Sequence, residues 1–306
     1  MSCRMIKLSG LTVLALFVAT AGWGQTSTPS QQPSQGGSSG QGAPPSQTPP
    51  SGQLPSAQPV GPSGQLPGAG QPVVAPQVNA QEETDYKAFY DSRGGGDVQK
   101  EIQLGEDFVK NYPTSRYVSV VYAVLAGVYM NQGEEDKMFS CAQKSIDARP
   151  DNVDALSLMV WAGARRINPQ APDAAEKFAK YENYAHQAIA LIAAMAKPAN
   201  VDDAAFNAAR NDKLSMCHSG LGLMDFMRQR YADAITEMTQ AVQLADHPDQ
   251  VDFFILGRAD EYTNHFDDAL AAFGKCTAIA GGIQDRCTSA IDDTKKRALE
   301  QPAPSH

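Results

Sequence analysis

Two stretches of the chain decide its fold. Residues 221–241 read LGLMDFMRQRYADAITEMTQA, and residues 256–276 read LGRADEYTNHFDDALAAFGKC. At an offset of 35 residues both contain Leu-Gly, then an aromatic residue, Ala, an aliphatic residue, a bulky residue and a small residue at matching positions. A third copy, with a weaker second half, runs through Tyr122, Leu125, Ala126, Tyr129, Gly133 and Pro150. A register that recurs three times predicts a repeated structural unit.

The repeated unit is predicted to be a pair of helices. From Glu82 onwards apolar residues recur at three- and four-residue spacing, with Gly, Pro or Asn-Pro between the blocks. This pattern predicts eleven helices between residues 83 and 299, and most connections are short enough to place successive helices side by side and antiparallel. Gly222 and Gly257 are expected to let two helix backbones approach closely, because a glycine leaves room for a bulky neighbour.

The register resembles the tetratricopeptide repeat, a helix–turn–helix unit of about 34 residues. The resemblance is clear over residues 119–150 and 215–282, and it is weaker between them, where the helix predicted from 174 to 196 is too long for a standard second helix. It implies an all-α, right-handed superhelical solenoid of about five antiparallel helix pairs, closed by a capping helix over 284–300.

The amino-terminal segment is predicted to be an export signal. Arg4 and Lys7 precede an apolar run that ends in the small residues 19–21, which is typical of a signal peptide spanning 1–24. The run is shorter than the about 20 residues that a membrane span needs, which disfavours the alternative of a retained anchor. Cys3 lies before the run, so the lipoprotein pattern is missing. The mature protein is expected in the periplasm or outside the cell, and the phrase FVKNYPTS resembles the opening helix pair of repeat proteins exported to bacterial envelopes.

Charge divides the rest of the chain into a spacer and a folded domain. The 306 residues have a formal net charge of −9, yet residues 8–81 contain no Asp, Glu, Lys or Arg. The Gln/Pro/Ser/Gly-rich segment 25–81 and the tail 301–306 are predicted to be disordered, which leaves 82–300 as the repeat domain. The domain is acidic and has no cluster of Lys and Arg, so binding to nucleic acid is disfavoured.

No catalytic or metal-binding motif is found between residues 82 and 300. This region has no Gly-Lys-Ser/Thr phosphate loop, no His-Glu-x-x-His, no Cys-x-x-Cys and no Gly-x-Ser-x-Gly. His218 follows Cys217, but adjacent residues of a helix point about 100° apart and do not share a metal unaided. The sequence therefore predicts no catalytic residue, no cofactor and no metal.

The leading functional hypothesis is a non-enzymatic protein–protein interaction scaffold. It would bind a peptide or protein of unknown identity in the bacterial envelope or exterior, with no nucleic acid and no membrane span after signal cleavage. Two alternatives stay open: an enzyme or enzyme subunit acting on envelope polymers, and a purely structural spacer. A binding surface should have a continuous lining of one character, whereas a spacer should not.

The first helices of the pairs are expected to line a concave face. Exposed Met and aromatic side chains there would suit an adaptable peptide-binding surface. Twelve residues displaced from the packing stripe define this face: Val120, Gly127, Met130, Ser157, Trp161, Ser219, Leu223, Phe226, Met227, Phe254, Arg258 and Glu261. The alternative for Leu223, Phe226 and Met227 is that they pack as additional core.

Four cysteines remain after signal removal, and they allow three full pairings in an oxidising compartment. Cys276 and Cys287 stand at equal distances from the glycine pair 281–282, so a helical hairpin turning there would bring them level on facing helices. This predicts a disulfide between them, with two buried thiols as the alternative. Cys141 and Cys217 fall in unrelated units and are expected to stay reduced.

Overall fold

The computed structural model describes residues 79–300. The predicted signal peptide, most of the predicted spacer and the tail 301–306 lie outside the described residues. The helices of the described part are α1 (Ala80–Ser92), α2 (Val98–Asn111), α3 (Val118–Gln132), α4 (Glu135–Ala148), α5 (Val153–Arg165), α6 (Ala174–Ala193), α7 (Asp203–Met227), α8 (Tyr231–Leu244), α9 (Gln250–Tyr262), α10 (Phe266–Ala278) and α11 (Gln284–Glu300).

The predicted all-α solenoid of about five helix pairs and a capping helix is confirmed. Within residues 79–300 there are eleven helices and no strand, and each pair packs on the next from α1/α2 to α9/α10, with α11 closing the series against α10. The first helix begins slightly before the predicted domain boundary at residue 82, because the side chain of Asn79 accepts hydrogen bonds from the backbone N–H groups of Gln81 and Glu82. None of these helices is long and apolar enough to cross a bilayer.

One hydrogen bond recurs in three of the five pairs and defines their register. In each case a side chain of the first helix donates to a backbone carbonyl 26 residues later, near the end of the second helix. The bonds join Ser119 to Ser145 (2.9 Å), Ser215 to Ala241 (3.0 Å) and Gln250 to Cys276 (3.1 Å). Each of these carbonyls also accepts a backbone N–H from three or four residues later, so the side chain adds a second hydrogen bond near the carboxyl end of the helix.

This register explains the unusual length of α7. Its recurring donor, Ser215, lies in the middle of the helix, whereas Ser119 and Gln250 lie in the first turn of theirs. Residues 203–214 are therefore an extension in front of the repeat. The extension packs beside the long helix α6, as the sequence indicated for this part of the chain.

The turn inside three pairs has one backbone conformation. Gly133, Gln229 and Asn264 follow the first helix with φ of 72°, 62° and 65°, all left-handed. The next residue in each case donates its N–H to a carbonyl five residues earlier, over 2.9 Å. This is the Schellman arrangement, which ends a helix and reverses the chain.

Glycines permit the close approach of paired helices. A Cβ atom on Gly222 would lie 2.8 Å from Met238 Cγ, and one on Gly257 would lie 2.7 Å from the Phe273 ring. The predicted close packing at both glycines is thus confirmed. Gly163 meets the ring of Tyr181 in the same way, which shows that the α5/α6 pair follows the rule although its sequence matches the repeat poorly.

Candidate interaction surface

The structure leaves seven of the twelve predicted concave-face residues half-buried. Their side chains rest partly on the core and partly meet solvent. They are Val120 and Met130 of α3, Trp161 of α5, Phe226 and Met227 of α7, and Phe254 and Arg258 of α9. Each of four successive first helices thus has half-buried, mainly apolar side chains at the predicted positions.

The other five predicted residues are buried and do not line this surface. These are Gly127, Ser157, Ser219, Leu223 and Glu261. The Ser157 hydroxyl stays within its own helix and donates to the Val153 carbonyl over 2.7 Å. Leu223 packs in the core, so the alternative role holds for Leu223 but not for Phe226 and Met227. The burial of the five residues comes from contacts with neighbouring helices, as for Ser219, which bonds Asp252 of α9 and Arg165 of α5.

Glu261 is enclosed because the capping helix covers it. One carboxylate oxygen lies 2.5 Å from Arg258 Nη1 in α9, and the other lies 2.8 Å from Arg297 Nη1 in α11. Its side chain is 1% exposed. Two guanidinium groups compensate the desolvation of this buried charge, which links α11 to α9 and removes Glu261 from any contact with a partner.

A charged network at the centre of the surface was not predicted from the sequence. Arg165 of α5 lies 2.9 Å from Asp249 and 3.2 Å from Asp252 of α9, and it donates to Ser219 of α7 over 3.1 Å. Its guanidinium also lies 4.2 Å from the ring centroid of Trp161, within the range of a cation–π interaction. One side chain thus connects three successive first helices.

A second charged group lies at the amino-terminal end of α5. Asp154 forms an ion pair with Lys213 of α7 over 2.6 Å. Burial raises the pKa of the neighbouring Asp212 carboxyl, Lys213 opposes that rise and Asp154 adds to it. Lys213 is thus the ion-pair partner of Asp154, while Asp212, the preceding residue in the chain, has no ion pair among the described residues.

The same imbalance occurs around Arg165. Burial raises the pKa of Asp252 to about 6, because the Arg165 guanidinium only partly offsets desolvation and the Asp249 carboxylate raises it further. Ser219 donates to Asp252 over 2.7 Å and also favours the ionised form. The four carboxylates and two cations are far apart in the sequence and form no motif. This arrangement of charge was therefore not predicted from the sequence.

Aromatic rings gather where α7 and α9 end. Tyr231 and Tyr262 are stacked with centroids 4.5 Å apart, and Phe226 lies 5.6 Å from Tyr231. The guanidinium of Arg258 lies 5.3 Å from the Tyr262 ring. Tyr262 is 42% exposed, so this cluster, which includes the predicted concave-face residue Phe226, is partly open to solvent.

A shallow cleft separates α9 from the capping helix. It has a volume of about 320 Å³ and is lined by Phe254, Arg258, Asp285, Arg286, Ser289, Ala290 and Asp293. The guanidinium of Arg286 lies 5.1 Å from the Phe254 ring centroid. Two of the predicted concave-face residues thus face the capping helix across an open cleft, and α11 forms the end of the surface.

Of the four cysteines among residues 79–300, two are joined to each other and two are buried thiols. Cys276 of α10 and Cys287 of α11 are disulfide-bonded in the structure, with Cα atoms 5.9 Å apart. That separation lies within the range a disulfide needs. Cys141 and Cys217 are buried thiols, and burial raises their pKa values to about 11 and about 12 respectively, which makes both poor nucleophiles near neutral pH.

The side chains of this surface form apolar contacts and ion pairs. Among residues 79–300 no three His, Cys, Asp or Glu side chains are grouped to hold a metal ion. Arg165 pairs with Asp249 and Asp252, and Lys213 pairs with Asp154, so ion pairs fix the positions of these charges.

Comparisons with known proteins give similarity of fold. No protein-family model and no curated protein matches the chain. Among solved structures, PilW, a widely conserved type IV pilus biogenesis factor, matches with a TM-score of 0.47 and 14% identity over 73% of this chain and 91% of its own. A thermophilic tetratricopeptide repeat protein of Thermus thermophilus matches with 0.42 and 14% over 69% and 98%, and MamA matches with 0.41 and 15% over 74% and 98%. No functional statement about this chain follows from them.

Proposed function

We propose that the protein is a non-enzymatic scaffold of the bacterial envelope or exterior whose concave face binds a peptide or protein segment. The observation that carries this proposal is the half-burial of Trp161, Phe226 and Phe254 on three successive first helices. Large aromatic side chains that keep part of their surface in water are typical anchors of protein interfaces.

The assignment to the envelope or exterior rests on the predicted signal peptide over 1–24. Cell fractionation and sequencing of the mature amino terminus test it. A mature chain that begins shortly after residue 21 or 24 in the periplasm or medium supports export. A chain that keeps its first residues in the cytoplasm contradicts it.

The binding proposal is tested by capture of partners from envelope extract on the mature protein. Trp161→Ala and Phe254→Ala should each reduce retention of a specific partner by about tenfold, because an aromatic anchor contributes about 1–2 kcal/mol or more to an interface. Tyr184→Ala is the matched control, since this half-buried aromatic residue belongs to the second helix α6. Equal retention by the parent and both concave-face variants would refute the proposal, and no saturable partner at all would favour the structural spacer.

A further inference from the structure

We infer that the concave face accepts a cationic peptide segment, with Lys or Arg side chains placed on either side of an apolar residue that contacts Trp161. This inference rests on the proposed function and names the chemistry of its partner. It follows from the half-buried apolar surface together with the charges that surround it.

The charge around Trp161 is unbalanced at two places. Asp249 and Asp252 share Arg165, whereas Lys213 pairs with Asp154, and Asp212, which precedes Lys213 in the chain, has no ion pair among the described residues. Each place therefore has two carboxylates and one fixed cation. A further cation at either place would gain attraction from a carboxylate that its present partner only partly compensates.

The two places flank the tryptophan on one stripe of α5. Asp154, Trp161 and Arg165 are separated by seven and four residues, so they lie on the same helix face. At 1.5 Å per residue the stripe is about 16 Å long. An extended peptide rises about 3.3 Å per residue and its alternate side chains point to the same side, so basic side chains about four positions apart, with an apolar side chain midway, would match this stripe.

The charge disfavours the other occupants of this surface. An anionic segment would meet four carboxylates and only two cations, both already engaged. The chain's own residues 25–78 contain no charged side chain and cannot correct the imbalance. A neutral peptide would gain the contact with Trp161 alone.

The raised pKa values of Asp212 and Asp252 agree with this picture. Burial is the main cause for both carboxyls, and the nearest cation of each opposes the rise without cancelling it. Asp252 faces Arg165 from α5, Ser219 from α7 and Asp249 at the start of its own helix. A bound cation would favour the ionised form of these carboxyls, so its binding should strengthen as the pH rises from 5 to 7.

Trp161 is a direct reporter for the test. The chain has two tryptophans, Trp23 and Trp161, so the full chain with Trp23→Phe fluoresces from the proposed site alone. The probes are three synthetic peptides: one with Lys at each end of a five-residue segment and Leu at its centre, the same peptide with Glu in place of Lys, and a neutral peptide copying residues 51–67 of this chain. We expect saturable binding of the Lys peptide, at least tenfold tighter than the other two and weakened by salt.

Two substitutions each remove one carboxylate and keep one ion pair at each place, although Asp249→Asn gives up the ion pair between Asp249 and Arg165. Asp212→Asn leaves Asp154 with Lys213, and Asp249→Asn leaves Asp252 with Arg165. Asparagine also replaces aspartate well at the helix N-cap, where Asp249 accepts a hydrogen bond from the Val251 N–H. Each variant should bind the Lys peptide about fivefold more weakly and should bind the neutral peptide as the parent does.

The outcomes separate this inference from the proposed function. Tighter binding of the Glu peptide or of the 51–67 peptide overturns the inference, and so does undiminished binding of the Lys peptide by both variants. If envelope partners still depend on Trp161 in those cases, the proposed function stands without the inference. If Trp161→Ala and Phe254→Ala leave the capture of partners unchanged, the proposed function itself fails.

Discussion

Gln229 occupies a backbone position that suits glycine. Its φ of 62° is left-handed, and the equivalent turn after α3 has Gly133. In this region a residue with a side chain destabilises the folded state by about 1–2 kcal/mol. Replacement by glycine regains only part of that free energy, because glycine is more flexible in the unfolded chain.

The substitution Gln229→Gly should therefore raise the free energy of unfolding by about 0.5–1 kcal/mol, as measured by urea denaturation. Gln240→Gly in the exposed interior of α8 is the matched control and should lower it by about 1 kcal/mol. A loss of stability in both variants would show that the side chain of Gln229 contributes more than its backbone costs.

Asp260 is a buried acid near the end of α9. Burial raises the pKa of its carboxyl from 3.8 to about 6, with a further rise from Asp268, and the nearby His265 only partly offsets this. The folded state thus holds the proton more tightly than the unfolded chain. The stability from this group is fully present below about pH 4 and is lost as the pH rises through 6.

Asp260→Asn should stabilise the protein by about 1–2 kcal/mol at pH 7.5 and have little effect at pH 4, measured by urea unfolding at the two pH values. Asp292→Asn on the exposed side of α11 is the control and should change stability little at either pH. An unchanged or lowered stability of Asp260→Asn at pH 7.5 would show that the ionised carboxylate is stabilised by its surroundings.

The close contact between helices α9 and α10 depends on Gly257, which has no side chain. Gly257→Leu should force the helix away from Phe273 and lower the free energy of unfolding by about 1–3 kcal/mol or more, measured by thermal and urea denaturation. Gly274→Leu is the control, because a Cβ atom there meets nothing within 4 Å. Equal melting temperatures for Gly257→Leu and the parent would refute the close-packing interpretation.

The capping helix is expected to be fixed by the pair Cys276 and Cys287. Closing so short a loop adds about 3 kcal/mol, so a reductant should lower the melting temperature of the parent but not of a Cys276→Ser/Cys287→Ser variant. Thiol counting on denatured, alkylated protein should find two free thiols among the four cysteines after the signal, with a peptide map linking Cys276 to Cys287. Four free thiols in protein purified from an oxidising compartment would contradict the disulfide.

Helix pairs were predicted correctly where packing between helices adjacent in the sequence determines the residue pattern. The spacing of Leu-Gly, aromatic and Ala residues indicated the pairs α7/α8 and α9/α10, because such a pattern reflects packing between neighbours in sequence. The pair α5/α6 matched poorly, because Ala162 stands before Gly163 where the other two pairs have Leu, and because its second helix is unusually long. The donor at 215 could not be foreseen either, because Ser215 lies in the middle of an uninterrupted helix.

For the whole molecule, the sequence predicted the class of fold and about half of the proposed surface. The apolar members Trp161, Phe226 and Phe254 followed from helical periodicity alone. Ser219 and Glu261 were placed wrongly, because their burial depends on side chains from other helices, Asp252 and Arg297 among them, that lie about 35 residues away. Side-chain contacts at that distance leave no periodic signal.

Arg165 bears on how the solenoid as a whole responds to stress. Repeat proteins are usually coupled only between adjacent units, so they can lose their units one after another from an end. The side chain of Arg165, in the third pair, bonds Ser219 of the fourth pair and also Asp249 and Asp252 of the fifth, so it links units that are not adjacent. The three carboxyl-terminal pairs are thereby tied into a cooperative block, and under load or denaturant the molecule should separate first between α4 and α5, ahead of any fraying inside that block.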